Sequence, residues 1–197
     1  MIQRILAGGI AGIPTDTVYG LAALATDAEA VSNLVDAKGR EADQPIAVLF
    51  DSIVDILPHL EDPRVLDRIA RLWPGALTVV VRAAKDSPIA TPAVTAERTI
   101  GIRKPDDSLA RSVIRAAGGV LAVTSANTHG EEPATTADEV LVTFGDLLPV
   151  LDGGSREGGV ASTVVDLTSD VPRVLRQGAI DVSEVLGTEP DAPELPL

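Results

Sequence analysis

Lys38 and Arg40, two residues apart, close a segment of helical periodicity. Ser125 and Asn127, also two residues apart, follow an apolar run. Thr15 and Thr17 flank Asp16 at the end of another, and Arg103 terminates Ile100-Gly101-Ile102. Each group stands where an element hands over to a turn, so a rigid scaffold can hold it within reach of a ligand. Cations, hydroxyls and an amide drawn from such ends point to one pocket for something anionic and polar. An ammonium acts as a compact point charge, and a guanidinium grips two oxygens at once. Lys38 and Arg40 therefore read either as a phosphate site or as basic residues capping a helix macrodipole. Ser125 and Asn127 read as neutral donors to a phosphate or carbonyl, or as a turn in which the Asn bonds its own backbone. Thr15 and Thr17 would share one face of an extended strand and line a pocket, or simply sit at a strand edge. Arg103, and likewise Arg176 in Val174-Leu175-Arg176-Gln177-Gly178, requires a carboxylate from the protein or from a ligand.

Several other chemistries are disfavoured. Neither a G-x-G-x-x-G nor a glycine followed by lysine occurs, so a phosphate site must be built from side chains. The chain has no cysteine, which removes disulfides, thiol nucleophiles and thiolate metal sites. His59 and His129 are its only histidines, too few for a histidine-rich metal centre, and neither is expected to do chemistry. The net charge is -13, with 16 basic against 29 acidic residues. A protein gripping a long nucleic acid by its phosphates carries a basic face, so direct, tight RNA or DNA binding is disfavoured. Aromatics make up 2%, which also argues against a base-stacking surface. No segment has the apolar length of a membrane span, and the glycine-broken N-terminus does not read as a signal peptide. A cytoplasmic protein is expected.

These groups must be positioned by a core of Val, Leu, Ile and Ala, since 45% of the 197 residues are hydrophobic. Residues 1–12 read as a short helix and turn. Thr26-Asp27-Ala28-Glu29 reads as a capping box opening a helix over 27–38. Residues 44–50 read as a buried strand. A second helix is expected over 62–72, with Val65, Leu66, Ile69 and Leu72 on one face and a stop at Trp73-Pro74-Gly75. Strands follow at 77–81 and 99–103. A helix over 107–117 should turn Leu109, Val113 and Ile114 inward, and a strand over 120–124 leads to Ser125. Thr136 to Glu139 is a second capping box, for a helix to about Phe144. Val150-Leu151, 162–167 and 174–176 read as short strands. Segments 41–44 and 153–159 are candidate lids. Mixed elements without strict alternation give an α/β domain with a twisted, mixed sheet over residues 1–185. The acidic, Pro-rich residues 186–197 read as a disordered tail.

Taken in order, Pro-Thr-Asp-Thr-Val-Tyr-Gly-Leu (14–21), Lys-Gly-Arg (38–40), Trp-Pro-Gly-Ala-Leu-Thr (73–78), Ile-Gly-Ile-Arg (100–103), Thr-Ser-Ala-Asn (124–127), Ser-Thr-Val-Val-Asp (162–166) and Leu-Arg-Gln-Gly (175–178) resemble the YrdC-type threonylcarbamoyl-AMP synthases. The likeness runs from about Pro14 to Gly178 and departs from the family pattern at Glu41 and at His129-Gly130. It implies a single-domain fold of the short bacterial form, a twisted sheet flanked by helices with a large concave cavity. It implies an ATP-binding nucleotidyltransferase that makes threonylcarbamoyl-AMP and pyrophosphate from L-threonine, bicarbonate and ATP with Mg²⁺. A downstream assembly would then transfer the threonylcarbamoyl group to tRNA. Lys38 and Arg40 would be catalytic. ATP would be held by Lys38, Arg40, Gln44, Thr99, Ser125, Asn127, Thr135 and Arg176, and threonine by Thr17, Leu49, Arg103, Ser125 and Ser162. No protein metal ligand is implied. The alternatives are a related carbamoyl-adenylate-handling enzyme and a non-catalytic RNA-binding module of the same fold.

Overall fold

Among the described residues, eight strands form one mixed sheet in the order β1-β2-β6-β3-β5-β4-β7-β8. They are β1 (Ala11–Ile13), β2 (Gly20–Leu24), β3 (Ala47–Phe50), β4 (Leu77–Arg82), β5 (Thr99–Arg103), β6 (Val120–Ser125), β7 (Thr163–Asp166) and β8 (Arg173–Arg176). The β3–β5 and β4–β7 pairs are parallel and the rest antiparallel. The helices are α1 (Ile2–Leu6), α2 (Ala28–Lys38), α3 (Ile53–Ile56), α4 (Ser108–Ala116) and α5 (Ala137–Phe144). The computed structural model describes residues 1–39, 46–128, 130–145, 148–157 and 159–181. Arg40, Glu41, Gln44, His129, the 41–44 segment and the 186–197 tail lie outside the described residues.

Alternation along the strands divides the apolar residues between two layers. Leu21 and Ala23 of β2, Val48 of β3 and Ala122 of β6 pack with Val31 and Leu34 of α2. Ala22, Leu49, Leu121 and Val123 point the other way and pack with Ile5 of α1 and with Val113 and Ile114 of α4. Beyond α4 that second face turns into the wall of a cavity. Phe50 and Trp73 meet edge to face, ring centres 5.2 Å apart, which closes the first layer beside β3.

Local signals explain most helix ends. The carboxylate of Asp27, not the Thr26 hydroxyl, caps α2, accepting from the backbone N–H of Glu29 and Ala30 at 3.0 and 3.1 Å. Thr136 and Glu139 form the expected capping box on α5. In α4 it is Ala110, with Val113 and Ile114, that turns inward, the i, i+3, i+4 spacing of a helical stripe. Leu109 is exposed, contrary to expectation. The expected helix over 62–72 is two 3₁₀ turns, Pro63–Arg68 and Ala70–Leu72. Its bonds run three residues back, as from Ile69 N–H to the Leu66 carbonyl (3.0 Å) and from Leu72 N–H to that of Ile69 (2.8 Å). Three residues per turn eclipses Leu66 and Ile69, the two residues it buries fully. Val150 makes a single bridge to Gly12 rather than a strand of its own. His59 is buried against the Ser87 hydroxyl (3.1 Å), and burial lowers its pKa.

Candidate active site

The cavity has a volume of about 510 Å³ and draws its lining from one sheet face and from the turns beyond the strand ends. Its floor is a transverse row, one residue per strand: Val123 of β6, Ala47 of β3, Gly101 of β5 and Val80 of β4. Lys38, Arg103 and Arg176 line it, and no carboxylate is among the described lining residues. An acidic protein thus concentrates positive charge in one concave site, the arrangement that focuses a field on an anionic ligand.

One end is built around Lys38. As the last residue of α2, it is carried past the sheet edge before the chain turns at Gly39. Its Nζ donates to the Ser125 carbonyl (2.8 Å), the Ser125 hydroxyl (2.8 Å) and Asn127 Oδ1 (2.6 Å). The Asn127 amide nitrogen donates to the carbonyls of Thr128 and Glu131, each at 2.8 Å, and this fixes Oδ1 toward the ammonium. The Ser125 hydroxyl also donates to Asn127 Oδ1 at 2.7 Å. Asn127 is therefore a positioning group for the lysine, with its own donors already engaged.

The other end holds two guanidiniums. Buried Arg103 donates to the Gly75 carbonyl (3.0 Å), to Thr17 Oγ1 (3.0 Å) and to Asp16 Oδ1 (2.6 Å). Burial lowers its pKa, and Asp16 opposes that shift through charge and hydrogen bond. Thr17 reaches it from a tight turn, not from the extended strand expected. The Thr15 hydroxyl donates to the Val18 carbonyl (2.7 Å) and lies 3.0 Å from that of Thr17, so the threonine closes the turn with its own side chain. Arg176 donates to the Ser162 carbonyl (3.1 and 2.9 Å) and hydroxyl (3.2 Å), and Ser162 meets Thr78 at 2.8 Å. Among the described residues Arg176 has no ion-pair partner. Burial, and then the charge of Arg103, lower its pKa, so an arriving anion would relieve two crowded cations. Gly178 allows this end to form. A Cβ there would fall 2.3 to 2.5 Å from backbone atoms of 161–163, and its N–H donates to buried Thr163 Oγ1 at 3.0 Å. The glycine thereby holds β8 close enough for Arg176 to reach Ser162.

The loop from Asp152 is tied down beside this turn. The Tyr19 hydroxyl accepts from Gly153 N–H (3.0 Å) and donates to the Gly154 carbonyl (2.9 Å). Arg156 lies over the Tyr19 ring at 5.7 Å, bonds the Gly153 and Thr15 carbonyls and pairs with Asp107 at 2.8 Å. A lid at 153–159 would have to break these bonds first. Arg156→Ala is expected to lower stability by about 1–3 kcal/mol, the cost of leaving a mostly buried charged partner unmatched. Limited proteolysis should then reveal a new cut within 153–157. Wild-type resistance there would mean that Tyr19 alone holds the loop.

The structure brings Lys38, Ser125, Asn127, Thr17, Leu49, Arg103, Ser162 and Arg176 to this one cavity. It does not bring Thr99 or Thr135 to the wall. The Thr99 hydroxyl meets that of Thr95 (2.8 Å), and that of Thr135 donates to Glu139 (3.1 Å). Arg40 and Gln44 lie outside the described residues. Sequence reasoning passed over Asp16, Thr78, Arg156 and Asp107. Signals existed for Asp16, held between two threonines of the first motif, and for Thr78, which closes the motif at 73–78. No group of acidic or imidazole side chains suited to a metal ion occurs among the described residues, and no described helix is long and apolar enough to cross a membrane.

Residues 3–178 match the family model Sua5_yciO_yrdC, described as telomere recombination. A Mycobacterium tuberculosis protein with the provisional name threonylcarbamoyl-AMP synthase is 38% identical over 194 residues, 95% of this chain and 88% of that protein. The Bacillus subtilis threonylcarbamoyl-AMP synthase is 38% identical over 182 residues, 89% of this chain and 51% of its own length. The crystal structure of Pyrococcus abyssi Sua5 complexed with L-threonine superposes with a TM-score of 0.86 at 31% identity, covering 94% of this chain and 56% of that one.

Proposed function

This chain belongs to the Sua5–YciO–YrdC family, and from that premise we propose that it is an L-threonylcarbamoyladenylate synthase serving the threonylcarbamoyladenosine modification of tRNA. The observation that carries the reading is the meeting of three remote cations, Lys38, Arg103 and Arg176, in a cavity with no lining carboxylate among the described residues. Two separated positive ends suit a substrate pair of a triphosphate and an amino-acid carboxylate.

In this reading the amine of L-threonine and bicarbonate combine to a carbamate and water. A carbamate oxygen then bonds to the α-phosphorus of ATP. The bond from that phosphorus to the bridging oxygen breaks, and pyrophosphate leaves with the electron pair. Such transfer needs positioning and neutralisation of developing charge more than a covalent nucleophile. Lys38 supplies that charge at the phosphates, and the family resemblance makes Arg40 and Gln44, outside the described residues, candidates for ATP binding. Ser125 and Asn127 hold the ammonium in place. Arg103 orients the threonine carboxylate, near Thr17, Leu49 and Ser162, and Arg176 beside it is the nucleotide contact that the family resemblance implies. Thr99 and Thr135 remain candidates for nucleotide contact only if they turn from their present partners. Mg²⁺ enters on the triphosphate as part of the substrate. The product passes to a separate assembly that modifies tRNA in the cytoplasm, without tight tRNA binding by this chain. Residues 1–185 would form the catalytic domain.

The test is pyrophosphate release from ATP by the purified chain, with L-threonine and bicarbonate present together or omitted singly. Release that requires both is expected. Release indifferent to threonine would end the reading.

A further inference from the structure

Gly101 lies in the middle of the cavity floor, between Ala47 of β3 and Val80 of β4. Its backbone does not need a glycine. Its φ lies outside the left-handed region, and an added Cβ would meet only Thr78 Cγ2 at 3.6 Å and Ala47 Cα at 4.0 Å, ordinary contact distances. Gly20, which also lines the cavity, is the opposite case, because a Cβ there would collide with Val123 Cγ1 at 2.6 Å. Packing fixes Gly20 but leaves residue 101 free to be larger. Glycine also weakens a strand interior, and often marks a place where something else approaches the backbone. What the missing side chain at 101 preserves is open volume above the floor.

That volume has a definite place in the site. Strand alternation puts residue 101 on the same face as Arg103. The nearest neighbour of the absent Cβ is Thr78, whose hydroxyl meets Ser162, which in turn accepts from Arg176. The opening therefore belongs to the guanidinium-lined end of the cavity and not to the end held by Lys38. An α-amino acid whose carboxylate pairs with Arg103 at that end carries its side chain only two carbon–carbon bonds away. Carboxylate and side chain must share this region.

We infer that Gly101 is a specificity-determining residue: the space above it receives the side chain of the amino-acid substrate and sets the largest one admitted. The inference rests on the amino-acid reading of this end and deepens it. The test is calorimetric titration of wild type and Gly101→Ala with L-threonine, L-serine and ATP in turn, with thermal unfolding of both proteins alongside. Gly101→Ala is expected to unfold within a few degrees of wild type and to bind ATP within about twofold. Its affinity for L-threonine should fall about 10-fold or more, the usual discrimination carried by one methyl group in a fitted pocket. L-serine, one methyl smaller, should lose less, so the preference for threonine over serine narrows. Unchanged threonine affinity in the folded variant would overturn the inference. So would a larger loss for ATP than for threonine, or failure of the variant to fold. Absence of threonine binding by wild type would instead refute the proposed function, and the inference with it.

Discussion

Lys38→Ala is expected to reduce threonine-dependent pyrophosphate release by about 10²–10³-fold, the range for removing one preorganised charge-stabilising donor from a reaction centre. Among the described residues the ammonium is the cation at its end of the cavity, and it is oriented before any substrate arrives. Ser125 supplies two acceptors and Asn127 a third, and Asn127 is itself aimed by the Thr128 and Glu131 carbonyls. Fixed donors need no reorganisation as charge develops, and that is the source of the large effect. The same deletion removes one donor each from Asn127 Oδ1 and the Ser125 carbonyl, which keep the Ser125 hydroxyl (2.7 Å) and Asn127 N–H (3.1 Å), so stability should fall by only about 0.5–1.5 kcal/mol. Activity and folding are separated by measuring kcat at a temperature well below the variant's Tm. Lys38→Arg restores the charge but not the compact three-way donation, so recovery should be slight. Wild-type turnover in a folded Lys38→Ala protein would remove Lys38 from the chemistry.

Asp16→Ala is the second large effect, and it falls first on stability. Asp16 is the carboxylate that matches Arg103, with side-chain exposures of 14% and 7%. Stripping one partner from a buried pair typically costs about 3–5 kcal/mol, because the remaining charge stays desolvated and unmatched. For a chain of this size that corresponds to a Tm lower by roughly 6–20 °C. Thr17 would lose the guanidinium's fixed position as well, and the KM for threonine should rise more than that for ATP. A variant lacking both partners, Asp16→Ala with Arg103→Met, should be less destabilised than the sum of the singles, a coupling that a double-mutant cycle reads directly. Additive effects would show that Arg103 is held by Thr17 and the Gly75 carbonyl alone.

Much of this site was legible because its groups sit at element ends flagged by apolar runs. Lys38 was assignable from helical spacing between Val31 and Val35, and Ser125 from the run before it. The strands β1 and β2 were not recognised. Ala11-Gly12-Ile13 and Gly20-Leu21-Ala22-Ala23-Leu24 are poor in β-branched residues, and the pairing of β1 with β2 and of β2 with β6 makes strands of them against propensity. The turn at Thr15 read as extended because alternating hydroxyls fit a strand and an ST turn equally well. The ties of Tyr19 to Gly154 and of Arg156 to Asp107 had no local signal, because they join residues 135 and 49 positions apart. Ordinary apolar spacing likewise concealed the 3₁₀ turns over 63–72, where pattern alone cannot tell three residues per turn from 3.6.

The sheet order has a kinetic corollary. Lys38 meets its partners 87 and 89 positions downstream, and Arg103 meets Thr17 86 positions upstream. Such high contact order slows folding, since distant segments must be brought together before their contacts reward it. During synthesis the first motif leaves the ribosome long before Ser162 and Arg176 exist. A nascent chain of this protein therefore has no complete cavity until β7 and β8 have been made, and the site arises in one step rather than by degrees.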